Sequence, residues 1–182
     1  MTINTQKTHK FLHWLSALLV ISVIVLGYYM TWVTDYSLYH WHKSIAVIIA
    51  IVWLLRIVYR LYQPFQSTVQ TSLTKWLHLY HWGLLILLAV ILLSGAFYSG
   101  FGGFGIAVFS WQLVASNYNE AGQAVASSAW LSDFGWQIHI LSGYVLSAAL
   151  SIHILAALKH HFIDHGGIAL CKKALTSASF LI

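Results

Sequence analysis

Eleven of the 182 residues are histidines, and an imidazole can ligate a metal, relay a proton or switch hydrogen-bonding role near neutral pH. Their spacing makes them the first candidates for chemistry. His139 and His153 lie fourteen positions apart within one apolar stretch, residues 136–158. On a helix, fourteen steps separate them by about 21 Å along the axis and about 40° around it. One helix therefore carries an imidazole near each end, both turned towards the same interior. His13 and His42 stand near the starts of two other apolar stretches, and His78 and His81 are three apart at the start of a third. His160 follows His153 by seven residues and so shares nearly the same face. Neither a carboxylate nor a thiol accompanies the His78/His81 pair, so a pure metal site is not expected there. Cys171 is the single cysteine, which excludes an intramolecular disulfide and a cysteine pair for metal. The glycine-rich run at 100–105 lacks the Lys-Ser/Thr of a phosphate loop, so nucleotide binding is excluded too.

The elements that must position these rings follow from composition. The chain is 59% apolar and 7% charged, with a mean hydropathy of +0.75. A soluble domain carries about 25% charged residues, so lipid must be the solvent for most of this chain. About 20 apolar residues cross a bilayer as a helix, and four stretches qualify, at about 11–32, 41–62, 76–97 and 136–158. The first is too long for a signal-peptide core and lacks a small-residue cleavage site, so it is read as retained. Pro64 closes the second. The reading is an all-α membrane protein, one domain over residues 1–182, built as a four-transmembrane-helix bundle. A loop at 98–135 joins the last two spans and is expected to act as a lid. Within it, residues 104–114 are apolar but too short to span; with Trp111 and Trp130 nearby they are expected to lie in the membrane interface. The tail at 159–182 ends the chain. The pI near 9.4 comes from cations scattered at segment ends, which fits membrane topology and not nucleic acid.

Lys7, Lys10, Arg56, Arg60, Lys75, Lys159, Lys172 and Lys173 fall on one side of the spans; Lys43, with Asp35, Glu120 and Asp133, falls on the other. Cytoplasmic segments carry the excess of Lys and Arg, so both termini are expected in the cytoplasm. Depth then pairs the histidines: His13 with His153 towards the cytoplasm, His42 with His139 towards the outside. Opposed imidazoles at one level, from neighbouring helices, are what a b-type haem needs as axial ligands. Two such levels predict two haems. A cofactor-free channel or transporter component with a histidine proton relay is the alternative; it leaves the two-level pairing unexplained and would put carboxylates in the spans, which hold none. A cytochrome b subunit of a larger redox complex is the other.

His13-Trp14-Leu15, His42 with Arg56 and Arg60, Leu77-His78-Leu79-Tyr80-His81, and His139 through Gly143-Tyr144 to His153 and His160-His161-Phe162 occur in an order and spacing similar to the bacterial cytochrome b561 family, over about residues 7–165. The resemblance implies a multi-pass protein of the bacterial inner membrane with two haem b groups, ligated by His13, His42, His139 and His153. It implies electron exchange with the quinone pool, with His160 and His81 near a cytoplasmic-side quinone, and for some members oxidation of superoxide with reduction of ubiquinone. The periplasmic electron donor stays unidentified. Arg56 and Arg60 are candidates for contacts to haem propionates. Superoxide would be drawn by a positive funnel, and the outer side offers only Lys43.

Overall fold

The computed structural model describes residues 3–63, 72–159 and 162. Four long helices, α1 (Ile3–Val33), α2 (Tyr39–Tyr62), α3 (Ser72–Phe101) and α4 (Ala129–Lys159), carry most of the chain. Each is long and apolar enough to cross a membrane. A 3₁₀ turn at Tyr36–Leu38 leads into α2, and a two-stranded hairpin, β1 (Ile106–Val108) and β2 (Trp111–Val114), lies between α3 and α4. The structure divides into two compact units, Met1–Tyr144 and Val145–Ile182. The first holds α1 to α3, the hairpin and the N-terminal half of α4. The second contains the rest of α4, helical to Lys159, with Ser151 donating to the Ser147 carbonyl at 2.8 Å.

The helices expose large apolar side chains and pack inside through apolar residues such as Ile49, Val52 and Leu85 together with small polar ones, a pattern suited to lipid. Leu18, Val25, Ile51, Leu54, Leu55, Ile86 and Leu93 are among many large apolar side chains left exposed. So much contiguous apolar surface marks contact with membrane or partner rather than water. Among the described residues six serines are buried: Ser16, Ser44, Ser94, Ser99, Ser132 and Ser142. Each hydroxyl is satisfied by a backbone carbonyl, as at Ser16 to Leu12 (2.6 Å) and Ser99 to Gly105 (2.6 Å). Small side chains let helices approach where the bilayer supplies no hydrophobic drive between them. At Gly135 of α4 a Cβ would lie 2.6 Å from the Tyr98 amide nitrogen and 2.8 Å from the Ser94 carbonyl, so only glycine permits the α3–α4 crossing. Tyr98 seals it, its ring 4.9 Å from that of Trp136.

The loop expected at 98–135 is shorter than expected, because α3 runs on to Phe101 and α4 starts at Ala129. The stretch at 104–114, expected in the membrane interface, folds as a hairpin: Ile106 pairs with Val114, Ala107 with Gln112 and Val108 with Trp111, around an irregularity at Ile106/Ala107. Backbone groups near a bilayer need partners, and pairing the two arms supplies them. The glycine run is the hinge into this hairpin. Gly103 and Gly105 have φ of +82° and +66°, open to glycine at little cost. Asp35, at the α1–α2 turn, accepts the Ser37 amide at 2.9 Å, and hydrogen bonding from the Ser37 hydroxyl, then from this amide, holds its carboxyl below the ordinary range.

Candidate functional site

His42 on α2 and His139 on α4 meet, with ring centroids 6.1 Å apart and planes at 78°. They are the two histidines that the depth argument paired at the outer level. Both are half-buried. The His139 Nδ1 lies 3.0 Å from the Ile91 carbonyl of α3. A carbonyl only accepts, so Nδ1 carries the proton and Nε2 keeps its lone pair. That is the tautomer of a metal-binding imidazole, with the distal N–H held by a backbone oxygen. Gly95, one turn along α3 from Ile91, lies under the same ring: a Cβ there would lie 3.0 Å from His139 Cε1 and Nδ1.

The other side repeats the device. Gly27 of α1 lies under His42, where a Cβ would lie 3.2 Å from Cε1, and the carbonyl of Val23, four residues earlier, faces the His42 ring as an acceptor. The hydrogen bond is not closed, and among the described residues the buried His42 Nδ1 has no partner within hydrogen-bonding geometry. Each ring thus rests on a glycine, and at His139 the carbonyl four residues before that glycine accepts from Nδ1. Two metal–imidazole bonds of about 2 Å, plus about 1 Å from each nitrogen to its ring centre, put opposed centroids about 6 Å apart. The 6.1 Å between these centroids matches that spacing.

The residues beside this pair tie the hairpin down. Lys43 Nζ donates to the carbonyls of Phe104 (3.2 Å) and Gly105 (3.0 Å). Ser44, fully buried, donates to the His40 carbonyl at 2.7 Å and accepts the Phe109 amide at 2.7 Å. Trp41 packs edge-on to Phe109 at 5.3 Å. The first turn of α2 therefore supplies His42 and anchors the hairpin beside it. His40 is exposed and turned to the Ser37 carbonyl, as its place outside the apolar stretch predicts.

At the far end of α2 the chemistry differs. Arg56 Nη2 lies 3.0 Å from His13 Nδ1. Guanidinium only donates, so Nδ1 accepts and the proton belongs on Nε2, the reverse of His139. Arg60 Nη2 is 3.4 Å from His78 Nδ1, and Trp82 Nε1 is 3.1 Å from His78 Nε2. His81 donates Nδ1–H to the Leu77 carbonyl at 2.6 Å, which leaves Nε2 the accepting nitrogen. His153 lies in the second unit, half-buried. His160 lies outside the described residues, as do Pro64 and Cys171.

A family model described as prokaryotic cytochrome b561 matches residues 4–170. The chain belongs to the prokaryotic cytochrome b561 family. Among its relatives is cytochrome b561 homolog 2 of Escherichia coli (strain K12), 30% identical over 162 residues, which cover 84% of this chain and 81% of the relative. As a cytochrome b561 it is a multi-pass membrane b-type cytochrome of electron transfer, and haem b is its cofactor. For such a protein the histidine excess reads as iron chemistry, and the residues that the sequence reading passed over are the ones behind the rings. Gly27 and Gly95 lie mid-helix in apolar spans, away from any cap. A glycine there costs about 1 kcal/mol against alanine, and that unexplained cost is the signal that marks them.

Proposed function

We propose that this cytochrome b561 carries electrons across the bacterial inner membrane between a donor on the hairpin side and the quinone pool, using two haem b groups. The His42–His139 pair carries the proposal: two half-buried imidazoles from different helices at 6.1 Å, one of them fixed by Ile91 in the ligating tautomer. When bound, bis-imidazole haem iron cycles between ferric and ferrous states and so takes or gives one electron. The chain's own part is to hold the rings, exclude water and set the polarity around them. Ile91 offers a carbonyl that makes the His139 imidazole more basic, and the apolar faces of the four helices keep bulk water away.

The second pair is His13 with His153, supported by their matched depth in the sequence and by the family resemblance. In this role His13 must release Arg56 from Nδ1 so that its proton can move there, and the freed guanidinium then has a carboxylate to meet. Arg56 and Arg60 are proposed to face the propionates of that inner group. His81, with Nδ1–H tied to Leu77, presents an accepting Nε2, and with His160 it is proposed to border a cytoplasmic-side ubiquinone and to pass it protons. Both termini are proposed to be cytoplasmic. Superoxide gains no support as donor: Lys43, the one cation expected on the outer side, is spent on two loop carbonyls, and Asp35, Glu120 and Asp133 repel anions there.

The test is vectorial. In proteoliposomes the purified protein is given a membrane-impermeant reductant on the hairpin side and ubiquinone in the bilayer. Haem reduction followed by quinone-dependent reoxidation, lost together in His42→Ala and His139→Ala, is expected. Reoxidation that ignores quinone contradicts the assignment.

A further inference from the structure

Near the end of α2, away from the hairpin, Arg60, His78 and Trp82 hold more donors than acceptors. The Trp82 Nε1–H is directed at His78 Nε2 (3.1 Å) and Arg60 Nη2 at His78 Nδ1 (3.4 Å). Indole and guanidinium can only donate, and a neutral imidazole has one accepting nitrogen and one N–H. Only one contact can be a hydrogen bond; the other sets two N–H groups against each other, and protonating His78 makes this worse. The shorter Trp82 contact takes the lone pair. His78 Nδ1–H and the Arg60 Nη2–H then converge with no acceptor between them among the described residues.

Charge points the same way. The Arg60 guanidinium lies 4.6 Å over the Trp82 ring centroid, a favourable stacking that holds it in place. Among the described residues no carboxylate pairs with Arg60, and Arg56, one turn back, is a second cation on that face. Water could accept the two N–H groups but would leave the half-buried cation uncompensated. The exposed Tyr62 and Trp76 at the adjoining ends of α2 and α3 mark the boundary of the hydrocarbon, since such rings collect there.

We propose that Arg60, His78 and Trp82 form a site for one anionic oxygen, taken from a haem propionate or from the phosphate of an anionic phospholipid. Arg60 and His78 touch it; Trp82 is a positioning residue that fixes the His78 tautomer. The propionate source rests on the haem reading above, whereas the phospholipid source does not.

Full-length protein is compared as wild type, Arg60→Gln, His78→Leu and the conservative Trp82→Phe, which keeps a ring under Arg60 but removes the N–H. Native mass spectrometry counts retained phosphatidylglycerol against phosphatidylcholine, and redox titration reads each haem. With a phosphate in the site, wild type prefers phosphatidylglycerol and all three variants weaken that preference about tenfold, the effect of one hydrogen bond to a charged group. With a propionate, lipids are not distinguished, and the reduced-to-oxidised ratio of one haem at fixed potential moves about tenfold in all three. If Arg60→Gln and His78→Leu match wild type in both measurements, the site is overturned. Trp82→Phe matching wild type while the other two change overturns the tautomer argument. A haem-free preparation sinks the haem reading, and lipid retention alone then decides the site.

Discussion

A methyl group at Gly95 would lie 3.0 Å from His139 Cε1 and Nδ1, and one at Gly27 would lie 3.2 Å from His42 Cε1. Overpacking of this kind costs about 1–3 kcal/mol. Gly95→Ala is therefore expected to lower the melting temperature and perturb the α-band of one haem, Gly27→Ala to do the same more weakly, and Gly83→Ala, which has nothing within 4 Å of the added carbon, to do neither. A Gly95→Ala protein that melts and absorbs like wild type would show that the ring does not rest on that glycine. The histidines themselves were legible in the sequence because an ionisable group in an apolar span is conspicuous. The carbonyls of Val23 and Ile91 were not, since every residue has a carbonyl and only the helix crossing decides which one faces a ring. The same limit hid Trp82: its N–H has meaning only once Arg60 and His78 stand beside it.

At the scale of elements, the four helices could be read from runs of apolar residues, but their ends could not. Lipid no longer selects for apolar side chains beyond the hydrocarbon, so α4 begins at Ala129 through Trp130, Ser132 and Asp133, and α3 continues over Ser99 and Gly100, without any hydropathy signal. The hairpin was read only as an apolar, interfacial stretch, because strands of three and four residues carry too few alternations to declare a period. Its stability depends on α2. Ser44→Ala strands the Phe109 amide, and a buried unsatisfied donor costs about 1–3 kcal/mol. Hydrogen exchange at Phe109 and the neighbouring hairpin amides should accelerate about tenfold or more while the helices stay protected. Unchanged exchange would show that Ser44 does not anchor the hairpin. The α1–α2 turn adds an acid-side effect: with its carboxyl held below the usual range, Asp35 favours the folded turn above its unfolded pKa of about 4 and loses that contribution as pH falls through its lowered folded value. Asp35→Ala should remove this dependence in an acid titration of stability and change little else, because the group is exposed.

For the whole molecule, charge and hydropathy give a topology. Eight cations on one side of the spans against one on the other predict that reporter fusions at the N- and C-termini both read as cytoplasmic and a fusion within the hairpin as external; a split result would reverse the orientation. The family of the chain makes it a haem b protein of electron transfer, and the account adds two levels of bis-histidine ligation. The proposed outer level rests on the approach of His42 and His139 within the first unit; the proposed inner level rests on the sequence. Haem quantitation with reduced-minus-oxidised spectra on wild type, His139→Ala and His153→Ala tests this most directly. The account predicts two b haems per chain in wild type and one in each variant, the two variants losing different haems. One haem in wild type, or the same haem lost from both variants, would contradict it.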